Sequence, residues 1–161
     1  VAGMNVEGKI GYGKWFTLQV GYTYQQSRYI KDFQWSEAVT PQRCMFRTPD
    51  HYGFFMAHYH PFKGFTIATN GKVTGSMLVQ HYAGYIPQDE EVRTRPFFEW
   101  DVKMGYEIPL YKNYTLEINA GVKNLLDHYQ SDMDKGMHKD AGYIYGPSIP
   151  RSYFVGVNLK I

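Results

Sequence analysis

Residues 150–161 read PRSYFVGVNLKI, and in this stretch apolar side chains alternate with polar or small ones. The alternating apolar residues are Tyr153, Val155, Val157, Leu159 and Ile161. Phe154 is the one large apolar residue between them. A period of two over this length predicts a β-strand with one apolar and one polar face. Because the apolar face runs to the last residue, the question is what that face contacts.

Six further segments carry a similar signature. Alternation is clear in residues 4–12, 16–25, 65–77, 98–106 and 114–123, with Met77 on the apolar face of its segment. Residues 51–60 also resemble a strand, but aromatic residues occupy both faces and leave its orientation open. We therefore predict seven strands, no helix, and an all-β, antiparallel up-and-down sheet.

The connections between these segments alternate between short turns and long loops. Short turns fall at residues 13–15, 60–64 and 109–113, and long loops span about 28–50, 79–95 and 126–149. In an up-and-down sheet, all short turns lie at one rim and all long loops at the other. This asymmetry is typical of outer-membrane β-barrels, whereas soluble β-sandwiches mix loop lengths and use Greek-key connections.

Aromatic residues crowd the rim that carries the short turns. They are Tyr12, Trp15, Phe16, Phe62, Phe65, Tyr106, Tyr111 and Tyr114. A belt of this kind fits a bilayer interface, where an amphipathic ring has apolar and wet neighbours. We therefore expect the apolar face to meet outer-membrane lipid, with the polar face lining an aqueous lumen. A soluble barrel with an apolar interior would show the same alternation.

The strand count carries a further expectation. In lipid a spanning sheet must close without a free edge, and bacterial single-chain barrels use an even number of strands. Seven strands, the first of which starts at the long-loop rim, leave an unpaired edge near Val1. We therefore expect the chain to be the carboxyl-terminal part of a larger transmembrane β-barrel.

Composition narrows the function classes. The chain has 17 Lys and Arg against 15 Asp and Glu, without the basic stripe that nucleic-acid binding requires. Its serines lack a Gly-x-Ser-x-Gly elbow, and phosphate-cradling glycine motifs are absent. We expect neither an enzyme nor a bound cofactor. Cys44 is the single cysteine, so no intrachain disulfide can form.

Residues 119–127, NAGVKNLLD, followed by His128, Tyr129 and Gln130, resemble the penultimate-strand signature of TonB-dependent outer-membrane receptors. In that family the strand ends in Asn-Leu-Phe-Asp or a close variant and a Tyr follows; here Leu126 stands in place of the Phe. Residues 132–147 with Pro150-Arg151, and the junction at residues 47–51, also resemble this family. Tyr153, Val155, Val157, Leu159 and Ile161 resemble its outer-membrane assembly signal, with Ile161 replacing the usual terminal Phe or Trp.

This resemblance implies a barrel of about 22 strands with a plugged lumen, located in the outer membrane of a Gram-negative bacterium. Such a receptor imports a scarce nutrient, namely an iron chelate, haem, cobalamin or a glycan, with energy supplied through TonB. Residues 1–161 would form the last third of the barrel wall, without the plug domain or the TonB-binding segment. The implied partners are outer-membrane lipid, the remaining strands and plug, the TonB complex and the nutrient ligand, but no nucleic acid.

Two alternatives stay open. One is an outer-membrane barrel complete at about eight strands, acting as an adhesin or a lipid enzyme. The other is a soluble ligand-binding barrel. A folded monomer recovered in the aqueous phase of a detergent partition would favour the soluble barrel.

The third long loop carries the candidate ligand-binding residues. They are Asp132, Asp134, His138, Asp140, Tyr143 and Tyr145. With Met133 and Met137 nearby, the loop mixes hard and soft donors suited to a metal or haem, although a solvated acidic loop would look the same. The two tyrosines could stack on an aromatic ligand or pack the loop onto the barrel rim.

One further pair of residues could bind a metal. His58 and His60 share a strand face and could chelate a metal with a third ligand, but polar groups beside a turn would have the same spacing. We assign no metal site.

Overall fold

The computed structural model describes residues Val1–Ile161, which form an all-β chain without helices. The strands are β1 (Ala2–Tyr12), β2 (Phe16–Gln26), β3 (Arg28–Phe33), β4 (Gln42–Cys44), β5 (His51–Tyr59), β6 (Phe65–Thr74), β7 (Leu78–His81), β8 (Glu90–Arg93), β9 (Phe97–Pro109), β10 (Thr115–Lys123) and β11 (Ser152–Lys160). The chain therefore contains no helix that could cross a membrane.

Seven of these strands form one antiparallel sheet in the order β1-β2-β5-β6-β9-β10-β11. Neighbours in this sheet follow one another along the chain, apart from the hairpins in the loops, so the up-and-down order is confirmed. The predicted count of seven sheet strands is confirmed as well. The sheet is open, because β1 and β11 each have a neighbour on one side only.

Short and long connections alternate as expected, but two of the long loops are not irregular. The loop predicted at residues 28–50 contains the β3-β4 hairpin, and the loop predicted at 79–95 contains the β7-β8 hairpin. These strands are only three to six residues long. Adjacent charges such as Glu90 and Glu91 also interrupt their alternation, so a period of two could not be recognised in the sequence.

The two faces of the sheet differ in character. The register places Tyr106, Ile118 and Val157 side by side on the apolar face. On the opposite face it aligns Glu107 and Glu117. Apolar side chains of the last strand remain exposed, with values of 78% for Val155, 63% for Val157 and 56% for Leu159. Thus nothing in this chain covers the apolar face.

Register also resolves the orientation of β5. Phe55 pairs with Val20 and Gly71, so it lies on the apolar face, and Phe54 pairs with Gly21 on the polar face. Each phenylalanine ring occupies the space where its glycine partner would carry a Cβ. Glycine partners on both sides therefore explain why β5 carries aromatic residues on both faces.

The aromatic residues of the short turns gather at one rim, as predicted. Tyr12 pairs with Phe16 at the end of the first hairpin. The rings of Phe62 and Phe65 are stacked, 5.0 Å apart, and each lies 6.4 Å from the ring of Tyr106. The short-turn rim is therefore an aromatic surface that extends across several strands.

The only buried apolar cluster lies outside the sheet, among the long loops. It consists of Met77, Val79 and Tyr143, with Val92 and Tyr145 packed against it. The prediction that Met77 continues the apolar face of the strand is wrong. Strand β6 ends at Thr74, and Met77 pairs instead with Thr94 at the base of the second loop hairpin.

Candidate functional site at the long-loop rim

The three long connections pack together at the long-loop rim. We call this assembly the cap, formed by residues 27–50, 75–96 and 124–151. The guanidinium of Arg47 donates to the main-chain oxygens of Gly142 and, at 2.9 Å, Ile144. The main-chain nitrogen of Arg47 also donates to the oxygen of Leu78 at 2.8 Å. One residue of the first loop therefore joins all three loops.

Trp35 makes a second bridge between the first two loops. Its indole nitrogen donates to the Glu91 carboxylate at 3.0 Å. Its ring packs edge-on against Tyr82, with ring centres 4.9 Å apart. Because these contacts join residues distant in sequence, they hold the first and second loops of the cap together.

Asn124 explains the Asn-Leu-Leu-Asp motif in structural terms. This buried residue adopts a left-handed conformation with φ of 51° as β10 ends. Its amide nitrogen donates to the oxygens of His128 and Ile149, and its amide oxygen accepts from the His128 nitrogen. At the end of the motif, Asp127 accepts from the main-chain nitrogen of Arg151 at 2.7 Å. The motif thus joins the two ends of the third loop.

Gln130 organises the interior of the third loop. It is 1% exposed, and its side-chain nitrogen donates to the Tyr143 oxygen at 3.0 Å. Its side-chain oxygen accepts from the main-chain nitrogens of Tyr145 and Gly146. A buried amide that satisfies several backbone groups costs stability when removed. The sequence placed Gln130 in the motif that follows β10 but did not predict its burial, because nothing marks a polar loop residue as buried.

Asp132 holds the two tyrosines of the predicted ligand-binding loop. It accepts hydrogen bonds from the Tyr143 hydroxyl at 3.1 Å and from the Tyr145 hydroxyl at 2.7 Å. Burial, followed by the hydrogen bond to Asp132 and its charge, raises the pKa of Tyr145 to about 12. Burial and the Asp132 charge also raise the pKa of Tyr143. Both hydroxyls are therefore neutral donors that anchor the loop.

His81 occupies the centre of the cap. Its ring stacks on Tyr143 with centres 3.7 Å apart and planes 7° from parallel. Its Nε2 lies 2.9 Å from the Asp134 carboxylate, and its Nδ1 lies 3.5 Å from Glu90 without a hydrogen-bond partner. Sequence reasoning selected Asp134 and Tyr143 but missed His81, whose isolated position in a polar stretch gave no signal.

The Asp134 carboxylate is held in its charged form. Burial alone would raise its pKa, but hydrogen bonds from the Asp140 nitrogen and from His81 hold the pKa below its usual range. Asp140 in turn accepts from the main-chain nitrogens of Tyr82 and Gly142. His138 is exposed and makes no side-chain hydrogen bond or ion pair. Of the six predicted residues, five thus enter one network and His138 does not.

The donors of this loop do not converge on one point. No group of three or more His, Cys, Asp or Glu side chains is arranged to hold a metal ion. His58 lies on the polar face of β5 opposite Ala68, and His60 follows the strand, with its Nδ1 3.0 Å from the Thr66 hydroxyl.

A cavity of about 450 Å³ lies between the third loop and the polar face of β6, β9 and β10. The side chains that define its chemistry are Phe97, Tyr145, Lys72, Glu99 and Lys123. Lys72 pairs with Glu99 at 3.7 Å, whereas Lys123 takes part in no ion pair. The Asp101 carboxylate also lines the cavity, beside Glu99. Aromatic rings, an unpaired ammonium group, two carboxylates and several hydrogen-bonding groups suit a small polar solute. This cavity is the candidate binding site.

Most residues of this cavity were not predicted, because they come from three strands and a distant loop. Only Tyr145 belongs to the predicted set. Phe97 contacts it with ring centres 5.9 Å apart, and the Phe97 ring covers Gly146. Phe97 is buried but lies on the polar face of β9, opposite Thr74, and this apolar residue at a polar-facing position was the one available signal.

No protein-family model and no curated protein matches this sequence.

Proposed function

We propose that this chain forms part of the barrel wall of an outer-membrane active transporter of the TonB-dependent type. The transported solute would be a scarce nutrient, namely an iron chelate, haem, cobalamin or a glycan, and energy would reach the barrel through TonB. The observation that carries this proposal is the apolar face, which is continuous across seven strands and exposed on all of them.

An apolar face of this extent is costly in water. Burying apolar surface is worth about 25 cal/mol per Å², and soluble monomers rarely expose apolar patches larger than a few hundred Å². Hydrocarbon tails would remove that cost without a second protein layer. The opposite, polar face suits a water-filled lumen, since it carries charged side chains such as Glu117, which lies 4.0 Å from Lys103 and 3.2 Å from Lys160.

The free edges support a larger barrel. With seven strands in an up-and-down order, β1 and β11 run in the same direction. Joining these two edges would therefore make a parallel pair, which an antiparallel barrel does not contain. Additional strands would pair both edges and satisfy their backbone groups in lipid. Their number would bring the complete barrel to an even number of strands.

The cap and its cavity support solute binding at the long-loop rim. In outer-membrane barrels the longer loops are extracellular, so the proposed orientation places the cavity where a nutrient arrives. Lys123 would attract an anionic group and Tyr145 would contact a ring or sugar face. Both would act at the entrance to the lumen, because the cavity is floored by the polar face of the sheet.

The accessibility of neighbouring residues in one strand to lipid and to water tests this proposal. In full-length protein carrying Cys44→Ser, single cysteines replace Val157 or Asn158, and each is spin-labelled in a bilayer. We expect the label at 157 to collide with oxygen, which concentrates in lipid, and the label at 158 to collide with a water-soluble nickel complex. Equal accessibility at the two positions, or the reverse order, would contradict the proposal.

A second measurement addresses transport. Growth of a deletion strain on a panel of iron and cobalamin sources identifies the solute, and Lys123→Gln should then weaken its uptake. Lys139→Gln provides the matched control, because Lys139 is an exposed lysine of the third loop and does not line the cavity.

A further inference from the structure

Each of the three short turns carries one lysine beside an aromatic residue. The pairs are Lys14 with Trp15, Lys63 with Phe62, and Lys112 with Tyr111. None of the three turns contains an aspartate or glutamate. The cap at the other rim is different, because acidic residues occur in all three of its loops. The positive charge of the turns is therefore a property of one rim.

The three lysines are available for an external partner. All are exposed, and none takes part in an ion pair. The Lys14 nitrogen lies 6.0 Å from the Trp15 ring centre and the Lys112 nitrogen 5.4 Å from that of Tyr111. Glu107 and Glu117, paired across β9 and β10 near this rim, share Lys160 at 2.6 and 3.2 Å, and neither forms an ion pair with a lysine of the turns.

The turns hold the backbone of these lysines in place. Each turn is closed by a main-chain hydrogen bond, from Trp15 to Tyr12, from Phe65 to Phe62, and from Tyr114 to Tyr111. Lys112 itself lies in the left-handed region, with φ of 60°. Little conformational entropy remains to be lost by the backbone when a partner binds.

A groove of about 550 Å³ between the first two turns shows what kind of partner fits. Trp15, Phe62 and Phe65 form its apolar wall, and Lys14 and Lys63 border it. His60, Thr66 and the Glu107 carboxylate line the rest of the groove. An apolar wall beside two ammonium groups complements a molecule that joins an acyl chain to an anionic group. Long lysine side chains can place their charge at the level of lipid headgroups while their stems remain on apolar surface.

We propose that the short-turn rim binds the anionic headgroups of glycerophospholipids in the leaflet that surrounds it. This inference rests on the proposed membrane wall and adds the lipid class that the rim selects. The phosphodiester would contact the lysine ammonium groups, and the acyl chains would continue along the exposed apolar face. Attraction of this kind is short-ranged and weakens as salt is added.

Spin-labelled lipids test the inference in the full-length protein reconstituted into phosphatidylcholine bilayers. The fraction of label immobilised at the protein gives the association of phosphatidylglycerol relative to phosphatidylcholine. We expect phosphatidylglycerol to be preferred by about fivefold, the factor that one lysine near an anionic lipid contributes. The preference should fall in high salt.

The variant Lys14→Gln/Lys63→Gln/Lys112→Gln should abolish this preference. The matched control is Lys31→Gln/Lys135→Gln/Lys139→Gln, which removes the same charge from exposed positions in the cap and should keep the preference. No preference in the unaltered protein, or equal loss in both variants, would overturn the inference.

Protease protection in the same bilayers separates this inference from the proposed function. Protein that inserts and is protected but shows no lipid preference would overturn the rim assignment alone. Protein that does not insert into bilayers of either lipid would contradict the membrane wall on which the assignment rests.

Discussion

The ring of Phe154 in β11 lies directly over Gly121 in β10. These residues pair across the two strands, and a Cβ built on Gly121 would approach the Phe154 ring and the Val102 carbonyl oxygen to 2.5 Å. Phe154 is also the residue that breaks the alternation of the last strand. Its partner glycine provides the space in which a large ring can lie flat on a polar face.

Gly121→Ala should therefore destabilise the sheet. The added methyl group meets main-chain oxygen as well as a ring, and overpacking of this kind typically costs about 1–3 kcal/mol. Denaturant unfolding in detergent micelles measures the change. Gly8→Ala is the matched control, because a Cβ there meets nothing within 4 Å. This control should be neutral or more stable by about 0.5 kcal/mol, since glycine weakens a strand.

The pairing of Phe154 with Gly121 illustrates which features of the sheet the sequence predicts and which depend on strand register. Alternation within the segments predicted the strands and the apolar face, because a period of two depends only on local geometry. The order of the strands was predicted from the alternation of short and long connections. It could not orient β5, because Phe54 and Phe55 require knowledge of which glycine lies opposite each ring. Cross-strand partners follow from register, and register depends on the turns as well as the pattern.

The sequence predicted less of the candidate site than of the fold. Asp132, Asp134 and Tyr145 were selected because they lie close together in one loop. His81 and Phe97 come from elements far away in the chain, and only the packing of the loops brings them to this place. Met77 was misplaced for a related reason, because alternation continued past the point where pairing ended.

Removing the Asn124 side chain should open the third loop. The buried amide makes three hydrogen bonds that join the ends of this loop. Asn124→Gly retains easy access to the positive φ and should cost about 2–3 kcal/mol through the lost hydrogen bonds. Asn124→Ala should cost more, because alanine adds backbone strain at this φ. Equal unfolding free energies for wild type and Asn124→Gly would contradict this role.

Arg47→Ala should loosen the third loop although Arg47 belongs to the first. Loss of its hydrogen bonds to Gly142 and Ile144 should raise amide exchange in residues 140–146 by about fivefold, the equivalent of about 1 kcal/mol. Arg43→Ala is the control, because its guanidinium binds only oxygens of its own hairpin, at Tyr29 and Ile30. Exchange that rises equally in both variants would show that Arg47 does not join the loops.

Asp132→Asn should make Tyr145 easier to ionise. Without the neighbouring negative charge, the pKa of Tyr145 should fall from about 12 part of the way toward the ordinary tyrosine value of about 10. Burial, the larger cause, remains in this variant and prevents a complete return. Tyrosinate absorbance during alkaline titration measures the change, and Tyr145→Phe identifies the step that belongs to this residue.

The contact between Asp134 and His81 makes the cap sensitive to acid. The pKa of Asp134 lies below its ordinary value in the folded chain, so the folded state favours the carboxylate. Its stabilising contribution is therefore complete above the unfolded-state pKa of about 3.9. It is lost as the pH falls through the lower folded-state pKa. Protonation removes the charged partner of His81 and weakens an acceptor for the Asp140 nitrogen.

We accordingly expect amide exchange in residues 134–143, corrected for its intrinsic pH dependence, to accelerate as the pH falls below about 4. The neutral side chain of Asp134→Asn should make the cap less stable at neutral pH and should flatten this acid dependence. Glu90 is the other acidic residue that faces His81, so Glu90→Gln is the comparison variant. Because Glu90 lies 3.5 Å from Nδ1 and is half exposed, Glu90→Gln should retain most of the acid dependence. An unchanged acid dependence in Asp134→Asn would assign the sensitivity to another group.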